Sequence, residues 1–82
     1  IDLYAVGVVL WQMLTGSLPH RGLTAMQSAY RRVSEGTPPI LTQHQFVPAA
    51  LAEVIDRSLS KDAADRHKNS AEMRQALLDA IR

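Results

Sequence analysis

A chain of 82 residues forms at most one small domain, and at this size roughly 60% of the unfolded surface is buried, so stability is marginal. The formal charge of +1, with basic residues dispersed and Arg31-Arg32 the only arginine pair, gives no electrostatic basis for nucleic-acid binding or for contact with a membrane surface. The absence of cysteine excludes a disulfide framework and a thiolate metal site, and is compatible with a cytoplasmic setting.

The first element runs from about Asp2 to Thr15 and is apolar on nearly every face. Such a helix is expected to be enclosed by protein on all sides. At about 1.5 Å per residue it spans about 21 Å, too short for a membrane and suited to a central pillar. Asp2 suits its N-cap, and Gly16 suits a left-handed stop. Gly7 inside it costs about 1 kcal/mol relative to alanine, which reads either as simple tolerance or as close approach of another backbone. Tyr4 and Trp11 read as core aromatics.

Gly16, Pro19 and Gly22 then make a short loop. Thr24 is placed to cap a second helix, in which Met26, Ala29, Tyr30 and Val33 fall at i, i+3, i+4 and i+7. That spacing predicts a buried apolar face, with Gln27, Arg31, Arg32 and Glu35 on the solvated side. Gly36 and the Pro38-Pro39 pair end the helix. Residues 37–46 read as an extended loop without periodicity.

Pro48 suits the first turn of a third helix, where its missing N–H costs nothing. Leu51, Val54, Ile55 and Leu59 define that helix's buried face. Residues 60–68 form a polar turn. Asn69 followed by Glu72 resembles a capping box, opening a last helix with Met73, Ala76, Leu77, Ala80 and Ile81 on one side. No run alternates as a half-buried strand would, so the class is all-α. His20, His44 and His67 lie in three separate loops without paired ligand spacing, which argues against a metal site. No nucleophile-elbow pattern supports hydrolase chemistry.

Two motifs carry a family resemblance. The first is Asp2-Leu-Tyr4-Ala-Val-Gly7, continued by Leu14-Thr15-Gly16 and Pro19. The second is Leu59-Ser-Lys-Asp62-Ala63-Ala-Asp65-Arg66. Together, and at this separation, they resemble the C-terminal lobe of eukaryotic-type serine/threonine protein kinases, with a compact alanine-rich style similar to bacterial members. Ala5 and His20 stand where the family pattern has serine and phenylalanine, and Ala63 where it has proline. The resemblance implies a partial kinase domain over residues 1–82: a long buried central helix plus three amphipathic helices. The chain then reads as a piece of a longer protein, since the first helix is already under way at Asp2.

The resemblance also implies roles. Asp2 would accept hydrogen bonds from the catalytic-loop backbone and anchor that loop, and Arg66 would form an ion pair with a glutamate ending the activation segment. Arg31 and Arg32 are the candidate docking surface for a protein substrate or a regulator at the second helix. The Gly-rich loop, strand lysine, catalytic aspartate and metal-binding aspartate of kinase chemistry do not occur in this sequence. The parent protein is therefore expected to use ATP and Mg²⁺ to phosphorylate protein serine or threonine, while this segment binds neither and is not catalytic alone. A cytoplasmic location follows for the segment, the parent being free to carry a membrane tether elsewhere. Two rivals stand beside this reading. One is a pseudokinase with the same lobe. The other is an unrelated helical interaction module, in which Trp11 would be fully shielded, whereas the kinase reading leaves apolar surface of the first helix exposed.

Overall fold

Side-chain caps and left-handed glycines cut the chain into helices at the places its sequence marks. The computed structural model describes residues 2–20 and 22–82. Its elements are α1 (Leu3–Thr15), α2 (Ala25–Ser34), α3 (Ala49–Ser58) and α4 (Ser70–Ile81), with single 3₁₀ turns at Ile40–Thr42 and Ala63–Asp65. No strand occurs among the described residues, so the all-α assignment stands.

Asp2 caps α1, its Oδ1 accepting from the Ala5 amide at 3.2 Å. Gly16 closes the helix at φ +75°, donating its N–H to the Gln12 carbonyl at 2.8 Å. Thr24 and Gln27 complete a reciprocal box at the start of α2: Thr24 Oγ1 accepts from the Gln27 amide and Gln27 Oε1 from the Thr24 amide. At α4 only half of the expected box forms. Asn69 Oδ1 accepts from the Glu72 amide at 2.8 Å, but the Glu72 carboxylate turns to Arg57 Nη2 at 2.9 Å. A charged partner on a neighbouring helix is a stronger donor than a local amide. Pro48 sits at the cap of α3, one residue before the first helical position.

The core is built on α3, which packs against α1, α4 and the Ile40–Thr42 turn. Trp11, Ile40, Val47, Ala52, Ile55, Leu59 and Tyr4 form one buried cluster. Ile40 comes from the stretch expected to be an aperiodic loop, and Val47 directly follows it. Ile40 is fully buried, and its amide is held by Asp56 Oδ1 at 2.9 Å, so a buried backbone donor finds its acceptor on α3. Burial raises the Asp56 carboxyl above its ordinary range, and the Ile40 N–H bond works the other way.

Three expectations are corrected here. First, α1 is not enclosed on all sides: Tyr4, Gly7 and Trp11 are buried, while Val9 and Met13 are 54% and 75% exposed. Its packed partner α3 covers one face only. Second, the apolar stripe of α2 faces outward, with Met26 82%, Tyr30 71% and Val33 72% exposed and no buried residue in the helix. Arg32 and Ser28 point toward the body instead, because the Arg32 guanidinium finds an aromatic ring there. Third, Gly7 does meet a neighbour, but that neighbour is a pair of side chains, Ser58 and Leu59, and not a backbone. The stripe of α4 also stops short, with Ile81 69% exposed at the last turn.

Candidate functional site

The first turn of α1, the last half of α2 and the turn after α3 converge on Tyr4. Its side chain is buried, and its hydroxyl hydrogen-bonds Thr37 Oγ1 at 3.0 Å, which ties down the far end of the ring. Two guanidiniums lie against that ring. Arg32 Cζ is 3.6 Å from the centroid and Arg66 Cζ 5.1 Å, both inside the range in which the ring quadrupole attracts a cation.

Arg66 is oriented by backbone of its own segment. Its Nε donates to the Ser60 carbonyl at 2.9 Å, a bond made within its own turn. The neighbouring acid Asp62 caps the Ala63–Asp65 turn, its Oδ1 accepting from the Ala64 amide at 3.1 Å. Among the described residues no carboxylate lies within ion-pair distance of Arg66, Arg32 or Lys61; the pairs formed are Arg31–Glu35, Arg57–Glu72 and Arg82–Asp79. Arg32, Lys61 and Arg66 line one open cavity of about 710 Å³, with Asp62 the acid on its wall. A second cavity of about 520 Å³, lined mostly by apolar groups, runs beneath the start of α2 between Tyr4, Val8, Leu18 and Leu23, and Arg32 borders both. Together they form a groove that is apolar at one end and cationic at the other.

The sequence-derived residues fall unequally on this site. Asp2 stands at the cap of α1, exposed, two residues before Tyr4. Arg66 lies at its centre. Arg31 and Arg32, read as one docking surface, diverge: Arg31 faces solvent beside Glu35 at 3.8 Å, whereas Arg32 turns in to Tyr4. Adjacent residues on a helix point about 100° apart, so one can face solvent while the next turns inward. The sequence reading missed Tyr4 as the ring both arginines share, although its place two residues after the capping Asp2 is visible in the sequence.

The histidines stay apart. His20 Nε2 lies 3.4 Å from Thr37 Oγ1, and His44 Nε2 lies 3.2 Å from Ser17 Oγ. His67 is buried, contrary to its reading as part of a polar turn. Desolvation, followed by the nearby Arg57, lowers its pKa, with Glu72 acting in the other direction. Among the described residues no three His, Asp or Glu groups gather as a metal site would need.

No protein-family model matches the chain. It is similar to a probable serine/threonine-protein kinase PknB of Lactococcus lactis, 35% identical over 72 residues, covering 88% of this chain and 12% of that protein. It is similar to the serine/threonine-protein kinase PknB of Mycobacterium tuberculosis, 35% identical over 77 residues, or 94% of this chain and 12% of that one. The serine/threonine-protein kinase PknD of Chlamydia trachomatis is likewise 35% identical over 77 residues, 93% of this chain and 8% of its own. The chain thus spans about an eighth or less of the relatives it matches.

Proposed function

For this chain, a kinase-derived helical segment, we propose that the parent protein transfers the γ-phosphoryl group of Mg-ATP to serine or threonine hydroxyls of protein substrates. The segment itself is the floor of that machine. On this reading no nucleotide site, no metal site and no step of the transfer is assigned to its side chains. Its task is to hold other segments still, since positioning accounts for much of catalysis in phosphoryl transfer.

Arg66 carries this reading. Its guanidinium is preset by the Ser60 carbonyl and the Tyr4 ring, and it opens onto a groove whose one acid, Asp62, is engaged with the Ala64 amide and forms no ion pair with it. Such a group suits a glutamate at the end of an activation segment laid along the groove. A planar guanidinium pairs bidentately with a carboxylate, giving direction as well as energy. Asp2 serves the catalytic loop in the same way. Its Oδ1 binds the Ala5 amide, and the exposed carboxylate keeps acceptor capacity for backbone N–H groups of another segment. The exposed Val9 and Met13 of α1 suit a helix that the rest of a kinase lobe covers.

The test is phosphate transfer from labelled Mg-ATP to a serine/threonine protein substrate, using the protein that contains this chain with a complete kinase domain. Transfer that is lost on mutating its catalytic-loop aspartate, and reduced by Arg66→Gln, supports both levels of the proposal. Absence of transfer together with absence of nucleotide binding refutes the enzyme and leaves a pseudokinase.

A further inference from the structure

The reading above uses one of the two guanidiniums on Tyr4 and leaves the other, Arg32, without a task. Its placement runs against the hydrophobic pattern of its own helix. α2 turns Arg32 toward the body while Met26, Tyr30 and Val33 stand exposed. The last turn of α2 is also tied in place, because Lys61 Nζ donates to the Ser34 carbonyl at 2.9 Å, two residues beyond Arg32. The Arg32 side chain is therefore held by a ring at 3.6 Å, and the end of its helix by a tether to the turn that bears Arg66.

Arg32 and Arg66 line the same cavity, together with Lys61 and a single acid, Asp62, whose Oδ1 is engaged with the Ala64 amide. Two like charges on one ring repel, and an anion placed between them removes that repulsion. A carboxylate has two oxygens and about four lone-pair sites, enough for two guanidiniums at once.

We propose that Arg32 is the second half of the carboxylate receptor: an acidic side chain docking on Arg66 is shared with Arg32 across the cavity between α2 and residues 60–66. This rests on the reading that Arg66 takes a carboxylate of the activation segment. Arg32 is a positioning residue, acting through that carboxylate and touching neither substrate nor nucleotide. It makes the placement of α2 part of the same lock that braces the activation segment.

A double-mutant cycle on the complete kinase domain tests the pairing, with Arg32→Gln, Arg66→Gln, the combination, and Arg32→Lys. The expected result is that Arg32→Gln lowers kcat about tenfold with little change in KM for ATP, and costs much less when Arg66 is already glutamine. The loss should shrink at high salt, and Arg32→Lys should recover part of it, since the charge returns without the planar fork. Arg74→Gln on the exposed side of α4 controls for charge removal alone, and thermal melting checks that each variant is folded. Additive effects of Arg32→Gln and Arg66→Gln, or a silent Arg32→Gln beside a damaging Arg66→Gln, refute the shared carboxylate and leave the Arg66 reading intact. A silent Arg66→Gln refutes both.

Discussion

Gly7 of α1 lies against Ser58 of α3 so closely that a Cβ added to the glycine would run into the Ser58 hydroxyl and come within 3.0 Å of Leu59 Cδ2. Ser58 is fully buried, and its hydroxyl donates to the Ile55 carbonyl at 2.6 Å, so it is poorly placed to yield. The main contact of α1 with the rest of the chain therefore depends on a missing methyl group.

Gly7→Ala sets two effects against each other. Better helix propensity stabilises by about 1 kcal/mol, and overpacking costs about 1–3 kcal/mol. The clash should win, lowering stability by up to about 2 kcal/mol in urea unfolding. Removing the hydroxyl in a Gly7→Ala/Ser58→Ala pair should recover part of that loss. If the double variant is as unstable as the sum of the two single ones, the side-chain contact is not the reason for the glycine.

Asp2→Asn separates the cap from the charge. Asparagine caps a helix about as well as aspartate, so the melting temperature of the chain should move little. In the complete kinase domain the same change should reduce kcat while leaving ATP affinity close to normal, because a neutral amide is a weaker acceptor for backbone N–H groups than a carboxylate. Unchanged turnover would remove Asp2 from loop anchoring and leave it only the α1 cap.

The buried His67 links stability to pH. Its folded pKa lies below the ordinary 6.5, so the folded chain resists protonation more than the unfolded chain does. Its contribution is complete above pH 6.5 and is lost as pH falls from there toward the folded value. Urea midpoints should therefore drop between pH 7.5 and pH 5.5, and His67→Phe should flatten that part of the profile. Asp56 acts with the opposite sign. Its folded pKa is raised above 3.8, so its contribution is complete below 3.8 and declines as pH rises through the folded value.

The two faces of α1 should answer differently to mutation. Trp11 is fully buried, and Trp11→Ala should cost about 3–5 kcal/mol. Met13 is 75% exposed, and Met13→Lys should change stability by no more than about 0.5 kcal/mol while reducing dye binding and self-association in sedimentation. Trp11 is thus shielded, as an independent module requires, and α1 also exposes apolar surface, as a kinase segment requires. Shielding alone does not choose between those readings; the similarity to serine/threonine-protein kinases favours the second.

Local signals were legible in the chain because they act within a few residues. Asp2, Thr24 and Asn69 cap their helices, Gly16 and Gly36 follow α1 and α2 in left-handed conformation, and Tyr4 with Arg66 carries the family resemblance. A cap or a positive φ requires only neighbours along the backbone. Contacts between elements were not legible. Periodicity placed Met26, Tyr30 and Val33 on one stripe of α2, yet it could not say that this stripe faces outward and Arg32 inward. Nor could it place Ile40 and Val47 in the core, send Glu72 to Arg57, or bury His67. A hydrophobic period records which residues share a face. Which face is covered depends on what the rest of the fold brings to it, here a tyrosine ring that takes Arg32 on the inner side of α2 while its apolar stripe stays exposed.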